Sequence, residues 1–283
     1  MSSSIILNIP HSSTLLPLED IPLPYDEPSG AAYNAWGGKF YVRKHLFEEY
    51  RKEIPYMTDW YTDELFINGI GKPLVAPVSR LLCDMERFKD DLKEEMSTIG
   101  MGICYTSTHN LEKLAFFRLS HKKAMIEKYY DPYHRTLERY VEEAFEEHRY
   151  VLILDCHSFS DIPYRSDLNR ACDRPDICIG TDKDHTPGDL IDIIRDYFEG
   201  EGYSTKLDYP FSGTIIPGKY ENDGNLFSVM IEVNRKLYLG KGKDDAVVRG
   251  PSFEKVCSQI YEVEKRVALY MERRCGEAER QKQ

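Results

Sequence analysis

Short apolar runs alternate with longer amphipathic stretches along this chain. Ser4–Ile9, Pro73–Pro77, Val151–Asp155, Asp176–Gly180 and Phe227–Val233 are rich in hydrophobic residues with few interruptions, as expected of strands covered on both faces of a sheet. Between them the period lengthens. Lys39–Arg51 places Phe40, Leu46, Phe47 and Tyr50 near one side of a helix. Arg118–Tyr130 and Tyr133–His148 follow, separated by Asp131-Pro132, which reads as an N-cap and a proline at the first helical position. Pro187–Glu199 is a further helix. The last, Ser252–Arg274, repeats Phe253, Val256, Ile260, Val263, Val267 and Met271 at three- and four-residue steps, ahead of a charged tail after Cys275. The alternation predicts an α/β fold of three layers, a mixed or mostly parallel central sheet with helices on both faces. No repeat or long linker interrupts it, so residues 1–283 read as a single domain.

Ligands of open α/β sheets bind beyond the carboxyl ends of the strands, which makes polar residues just after the apolar runs the candidates for chemistry. His11 follows the first strand in Asn8-Ile9-Pro10-His11-Ser12. Such a histidine either reaches into a cleft or bonds to local backbone. Val151–Asp155 likewise runs into Cys156-His157-Ser158, with Asp155 two residues ahead of His157. Metal-bound imidazoles donate their second N–H to a carboxylate or carbonyl, and two strand-end histidines suit a two-His zinc site with an open position. An acidic third ligand is needed. Asp59-Trp60-Tyr61-Thr62-Asp63-Glu64 supplies candidates: as a helix it sets Asp59 and Asp63 on one face, while an ordinary acidic first turn is the alternative. Glu232 interrupts the last apolar strand, where a carboxylate is costly unless paired with an arginine or functional. Beside a zinc-bound water it would serve as general base.

Composition narrows the function classes. With 41% hydrophobic and 30% charged residues the chain is globular. Its net charge of −11 argues against a nucleic-acid partner, which needs clustered Lys and Arg. An anionic small-molecule substrate stays compatible, because one or two arginines suffice to hold it. The first ten residues lack the basic segment of an export signal, and no apolar run approaches a membrane span. Seven cysteines, none in a CxxC pair, read as reduced thiols in the cytoplasm. No GxSxG, GxxxxGK[ST] or HExxH pattern offers a competing chemistry.

In order, Pro10-His11-Ser12, Asp59-x-x-x-Asp63, Ser79-Arg80-x-x-x-Asp84-x-x-Arg87, Tyr130-x-Pro132-Tyr133-His134, Asp155-x-His157-Ser158, Pro210-Phe211-x-Gly213 and Glu232-x-Asn234-Arg235-x-x-Tyr238 resemble the N-formylglutamate amidohydrolases from about residue 7 to 240. That family is similar in fold to zinc carboxypeptidases. The resemblance implies zinc-dependent hydrolysis of the amide bond of an N-acyl amino acid such as N-formylglutamate. It also implies zinc held by His11, Asp63 and His157, with Glu232 as general base and Asp63 preferred over Glu64 or Asp59. Arg80 and Arg87 fall in a motif that implies substrate binding, and His134 in one that implies contact with the substrate or the developing oxyanion. Two stretches depart from the pattern. Glu86 stands where the family's Asp-x-Asn-Arg has an amide, and Ser212–Tyr220 lacks its Gly-Gly and Arg-His. Both departures are expected to line the substrate side of the cleft. A zinc hydrolase of a different peptide-like amide on the same frame is one alternative reading; a metal-binding recognition protein without catalysis is another, which a proton-shuttling Glu232 speaks against.

Overall fold

The computed structural model describes residues 3–22, 38–115 and 119–280. Its centre is a mixed sheet of six strands, β1 (Ile5–Ile9), β2 (Lys72–Val75), β3 (Val151–Phe159), β4 (Ile177–Gly180), β5 (Thr205–Leu207) and β6 (Leu226–Asn234), in the order β2-β1-β3-β6-β4-β5. Strands β2, β1, β3 and β6 run parallel to one another. β4 is antiparallel to β6, and β5 is parallel to β4. The carboxyl ends of four strands therefore open on one side of the sheet. The helices are α1 (Gly38–Met57), α2 (Thr62–Phe66), α3 (Leu119–Met125), α4 (Asp131–Glu147), α5 (Gly188–Gly200) and α6 (Phe253–Arg280). A small hairpin, β7 (Leu239–Lys241) with β8 (Val247–Arg249), lies apart from the main sheet.

All nine residues of β3 are buried, as are all nine of β6. Because side chains alternate in direction along a strand, β3 serves two cores. Val151 and Ile153 pack into a layer with Tyr133, Leu137 and Val141 of α4. Leu152, Leu154 and Cys156 pack into the opposite layer, with Leu190 and Ile194 of α5 and Ile260, Val263 and Val267 of α6. Helices on both faces explain why these strands are continuous apolar runs rather than alternating ones.

Three local expectations change. β3 continues four residues beyond Asp155, so His157 lies within the strand, not past its end. Asp131-Pro132 does not start a new helix, since Tyr130 and Asp131 are themselves helical. The chain passes from α3 to α4 through a π-turn at Ile126–Tyr130, which absorbs the hydrogen bond that Pro132 cannot donate. The last helix extends to Arg280, well into the charged segment. Arg118 and the final three residues lie outside the described residues.

Candidate metal centre and its cleft

Asn8, on β1, and Asp155, on β3, are register partners in parallel strands, and their side chains are joined, Asn8 Nδ2 donating to Asp155 Oδ1 at 2.8 Å. The Tyr133 hydroxyl donates to Asn8 Oδ1 at 2.6 Å, and the Ile215 N–H donates to Asp155 Oδ2 at 3.1 Å. Asp155 is thus a fixed point on the floor of the site. Two residues on, His157 points to the same face of the sheet and presents Nε2 to Asp155 Oδ1 at 3.0 Å. His11, just beyond β1, presents its own Nε2 to Asp84 Oδ1 at 2.8 Å. Asp84 is held in turn by the Tyr105 hydroxyl and by Arg80.

With each Nε2 engaged by a carboxylate, the two Nδ1 atoms face one another, 3.3 Å apart. Asp59 Oδ2 lies 3.1 Å from Nδ1 of His157 and 3.7 Å from Nδ1 of His11. All three residues are buried, and the three donor atoms lie within 4.8 Å of one another. Burial lowers both imidazoles, and Arg80 lowers His11 further. The surrounding carboxylates prevail: Asp84 and Asp59 leave His11 raised, and Glu86, Asp155 and Asp59 hold His157 well above the usual range. Burial pushes the Asp59 carboxyl up, but His11, His157 and Arg235 hold it well below an ordinary carboxylate. Two lone-pair nitrogens and one carboxylate oxygen converging on a point attract a positive charge. Two N and one O is a donor set that zinc accepts, and the carboxylates on both Nε2 atoms are the outer partners such ligands need.

The carboxylate that meets the two imidazoles belongs to Asp59, and Asp63 lies outside this group. The expected helix over both residues starts only at Thr62, because Tyr61 takes a left-handed conformation at φ 61°. That turn separates the two aspartates. Asp59 stays on the cleft side, where its N–H donates to the His11 carbonyl at 3.0 Å and Arg235 Nη2 donates to its Oδ1 at 2.7 Å. Asp63 lines a different depression, with Trp60, Ser12 and Ser13, and Glu64 is ion-paired to Arg249.

The other expected residues divide. Glu232 is the register partner of His157 across β3 and β6 and lines the same cleft. Its Oε2 is buried without a hydrogen-bond partner. Burial, opposed by His157 and Arg235, pushes its carboxyl up to about 7. Arg80 lines the cleft but gives both Nε and Nη2 to Asp84, at 3.1 and 2.9 Å. Arg87 lines it with Nε unpartnered. His134 does not line the cleft. It stacks on Tyr130, ring centroids 4.1 Å apart, and donates from Nε2 to the Met85 carbonyl at 2.8 Å, so it braces the segment that carries Glu86 and Arg87. Glu86 is itself a cleft residue, its Oε1 2.9 Å from His157 Nε2. Tyr105 and Arg174 also line the cleft and were not singled out from sequence. No strand pattern flags them, because both reach the site from irregular segments.

Residues 36–239, most of the chain, match the sequence profile of the N-formylglutamate amidohydrolase family. The chain belongs to that family. An N-formylglutamate deformylase from Pseudomonas putida is 28% identical over 212 residues, covering 70% of this chain and 76% of that protein. In fold, the N-formylglutamate amidohydrolase of Ralstonia eutropha JMP134 superposes with a TM-score of 0.72 at 20% identity, over 96% of this chain and 95% of its own. A gene product of Agrobacterium tumefaciens follows at a TM-score of 0.54 and 17% identity, over 95% of this chain and 91% of its own. The family match establishes this chain as an amidohydrolase of the N-formylglutamate type. No helix among the described residues is long and apolar enough to cross a membrane.

Proposed function

We propose that this family member is a zinc-dependent hydrolase of the amide bond of N-acyl amino acids, N-formyl ones included. The observation that carries the reading is the meeting of His11 Nδ1, His157 Nδ1 and Asp59 Oδ2 beside the unpartnered Oε2 of Glu232. His11, Asp59 and His157 would hold the metal, with Asp84 and Asp155 fixing the imidazole tautomers from the far side. When bound, zinc supplies a Lewis acid for the scissile carbonyl and lowers the pKa of its water.

The remaining work falls to the chain itself. Glu232 Oε2 accepts a proton from the attacking water and returns it to the leaving nitrogen, so amine and carboxylic acid are released. A carboxyl poised near neutrality suits both halves of that transfer. Arg235 holds Asp59 in place and supplies positive charge near Glu232. Arg87 receives the carboxylate of the substrate. Both apolar layers sit on one sheet, which supports reading the chain as one catalytic domain. Seven cysteines without CxxC spacing support placing it in the cytosol. Incubating zinc-loaded protein with a panel of N-acyl amino acids and measuring free amine tests the proposal. Release of amine is the expected result, and its absence across formyl, acetyl and longer acyl groups would overturn it.

A further inference from the structure

The cleft encloses 490 Å³, within the range that holds a drug-sized ligand, and its arginines are unequally committed. Arg235 donates to Asp59, to the Ser158 hydroxyl and carbonyl and to the Tyr56 carbonyl. Arg174 donates to Asp167 at 2.5 Å and to the Ser160 and Asn169 carbonyls. Arg80 is spent on Asp84. Arg87 differs. Its Nε makes no hydrogen bond and meets Asp84 Oδ2 only at ion-pair distance, 3.5 Å, an oxygen that already receives Arg80 and Tyr105, while the guanidinium also lies beside the Tyr105 hydroxyl. Among the described cleft arginines Arg87 is therefore the least committed, and the one placed to exchange its long Asp84 contact for a substrate carboxylate.

The far side of the cleft carries a cluster of apolar side chains beside Ser160, Ser212 and Arg174. Phe159 lies two residues beyond His157 on β3, and Met230 two before Glu232 on β6, so both share the metal-side face of the sheet. Phe211 meets Phe159 edge-on at 5.8 Å. Arg174, neutralised by Asp167, lays its guanidinium over both rings, 6.0 and 5.5 Å from their centroids. Gly180 lets the Gly213 carbonyl and the Met230 side chain pack close behind this group, since a Cβ on it would lie 2.3 Å from the Gly213 carbonyl oxygen and from Met230 Cε. Arg87 enters from the segment after β2, at one edge of the sheet, and Phe211 from the segment after β5, at the other. A second carboxylate lodged by the phenylalanines would lose its hydration and find no free cation among the described residues.

We infer that the substrate carries a single carboxylate, received by Arg87, and a bulky apolar group seated against Phe159, Phe211 and Met230. A dicarboxylate such as N-formylglutamate is disfavoured. The inference rests on the amide-hydrolase reading of the same site.

The test is the binding of N-formylglycine, N-formylphenylalanine and N-formylglutamate to zinc-loaded Glu232→Gln protein, measured by calorimetry. Burial of an aromatic side chain should make N-formylphenylalanine bind at least about tenfold tighter than N-formylglycine, with N-formylglutamate no tighter than N-formylglycine. Arg87→Met should weaken all three by a similar factor. Phe211→Ala should narrow the phenylalanine advantage, and unchanged N-formylglycine binding would report that this variant is folded. The order in the single variant needs neither substitution. N-formylglutamate binding tighter than N-formylphenylalanine, no preference for the apolar side chain, or no binding of any of the three overturns the inference. The expected binding order, with wild-type protein hydrolysing none of them, overturns the hydrolase reading and leaves the pocket assignment standing.

Discussion

His157 and Glu232 stand opposite one another in the parallel pairing of β3 and β6, which places an imidazole and an unpartnered carboxylate on the same face of the sheet. Two adjacent strands thereby carry a proposed metal ligand and the proposed proton carrier on rigid backbone. Loops contribute the rest of the site.

Glu232→Gln keeps the shape of the side chain and removes its proton acceptor. The expected loss in kcat is about 10²–10⁴-fold, the usual contribution of general acid–base catalysis, with zinc content unchanged. Steady-state kinetics and metal analysis on one preparation check both halves. Near-wild-type turnover would remove Glu232 from the mechanism.

Asp59→Ala and Asp63→Ala separate the two aspartates. The first should weaken zinc more than about 100-fold, beyond what loss of an outer partner costs, and the second should leave it bound. Competition against a chelator of known affinity measures the difference. Zinc loss in the Asp63 variant alone would reverse the assignment.

Asp155→Asn keeps one acceptor oxygen, for either the Asn8 amide or the Ile215 N–H, sets an NH2 against the other donor, and withdraws the charge behind His157. Zinc affinity should fall about 10–100-fold, as it does when the outer partner of a metal-bound histidine is changed. Thermal stability of the metal-free protein should fall as well, since one buried N–H donor loses its acceptor. An affinity equal to wild type would show that Asp155 does not orient His157.

Glu264 on α6 is almost fully buried, with both carboxylate oxygens unpartnered. Burial raises its pKa from 4.5 to about 8. The unfolded chain ionises first as pH rises, so the folded state loses relative stability from about pH 4.5 through 8, and below 4.5 the penalty vanishes. Glu264→Gln should match wild type near pH 5 and exceed it at pH 8 by on the order of a few kcal/mol. Denaturant unfolding at the two pH values reads this out. A gap that is the same at both would exclude ionisation as its source.

The apolar runs placed five of the six strands of the main sheet within a few residues, because burial on both faces leaves a local signature that needs no partner to be read. β5 escaped notice, being three residues long and half exposed at the sheet edge. His11 and His157 were legible for a similar reason, as histidines at strands that lead to the open side of a parallel sheet. Arg80 and His134 were legible as motif residues but not as roles. Whether an arginine is free or spent depends on where Asp84 lies, and His134 turns to a backbone carbonyl that sequence spacing does not bring near it.

By itself, then, the sequence determined the layered α/β architecture, the two histidines and the buried Glu232, since each follows from local periodicity or from a polar residue breaking it. Tertiary structure alone decided that Asp59 joins the histidines. That choice depends on a left-handed turn at Tyr61, a conformation L-residues adopt at a cost. The surrounding contacts fix it: the Tyr238 hydroxyl donates to the Trp60 carbonyl, and Arg235 holds Asp59. Those partners lie more than 170 residues away in the chain, beyond the reach of any spacing rule, and they turn an apparent helical face into one residue beside the histidines and one outside the cleft.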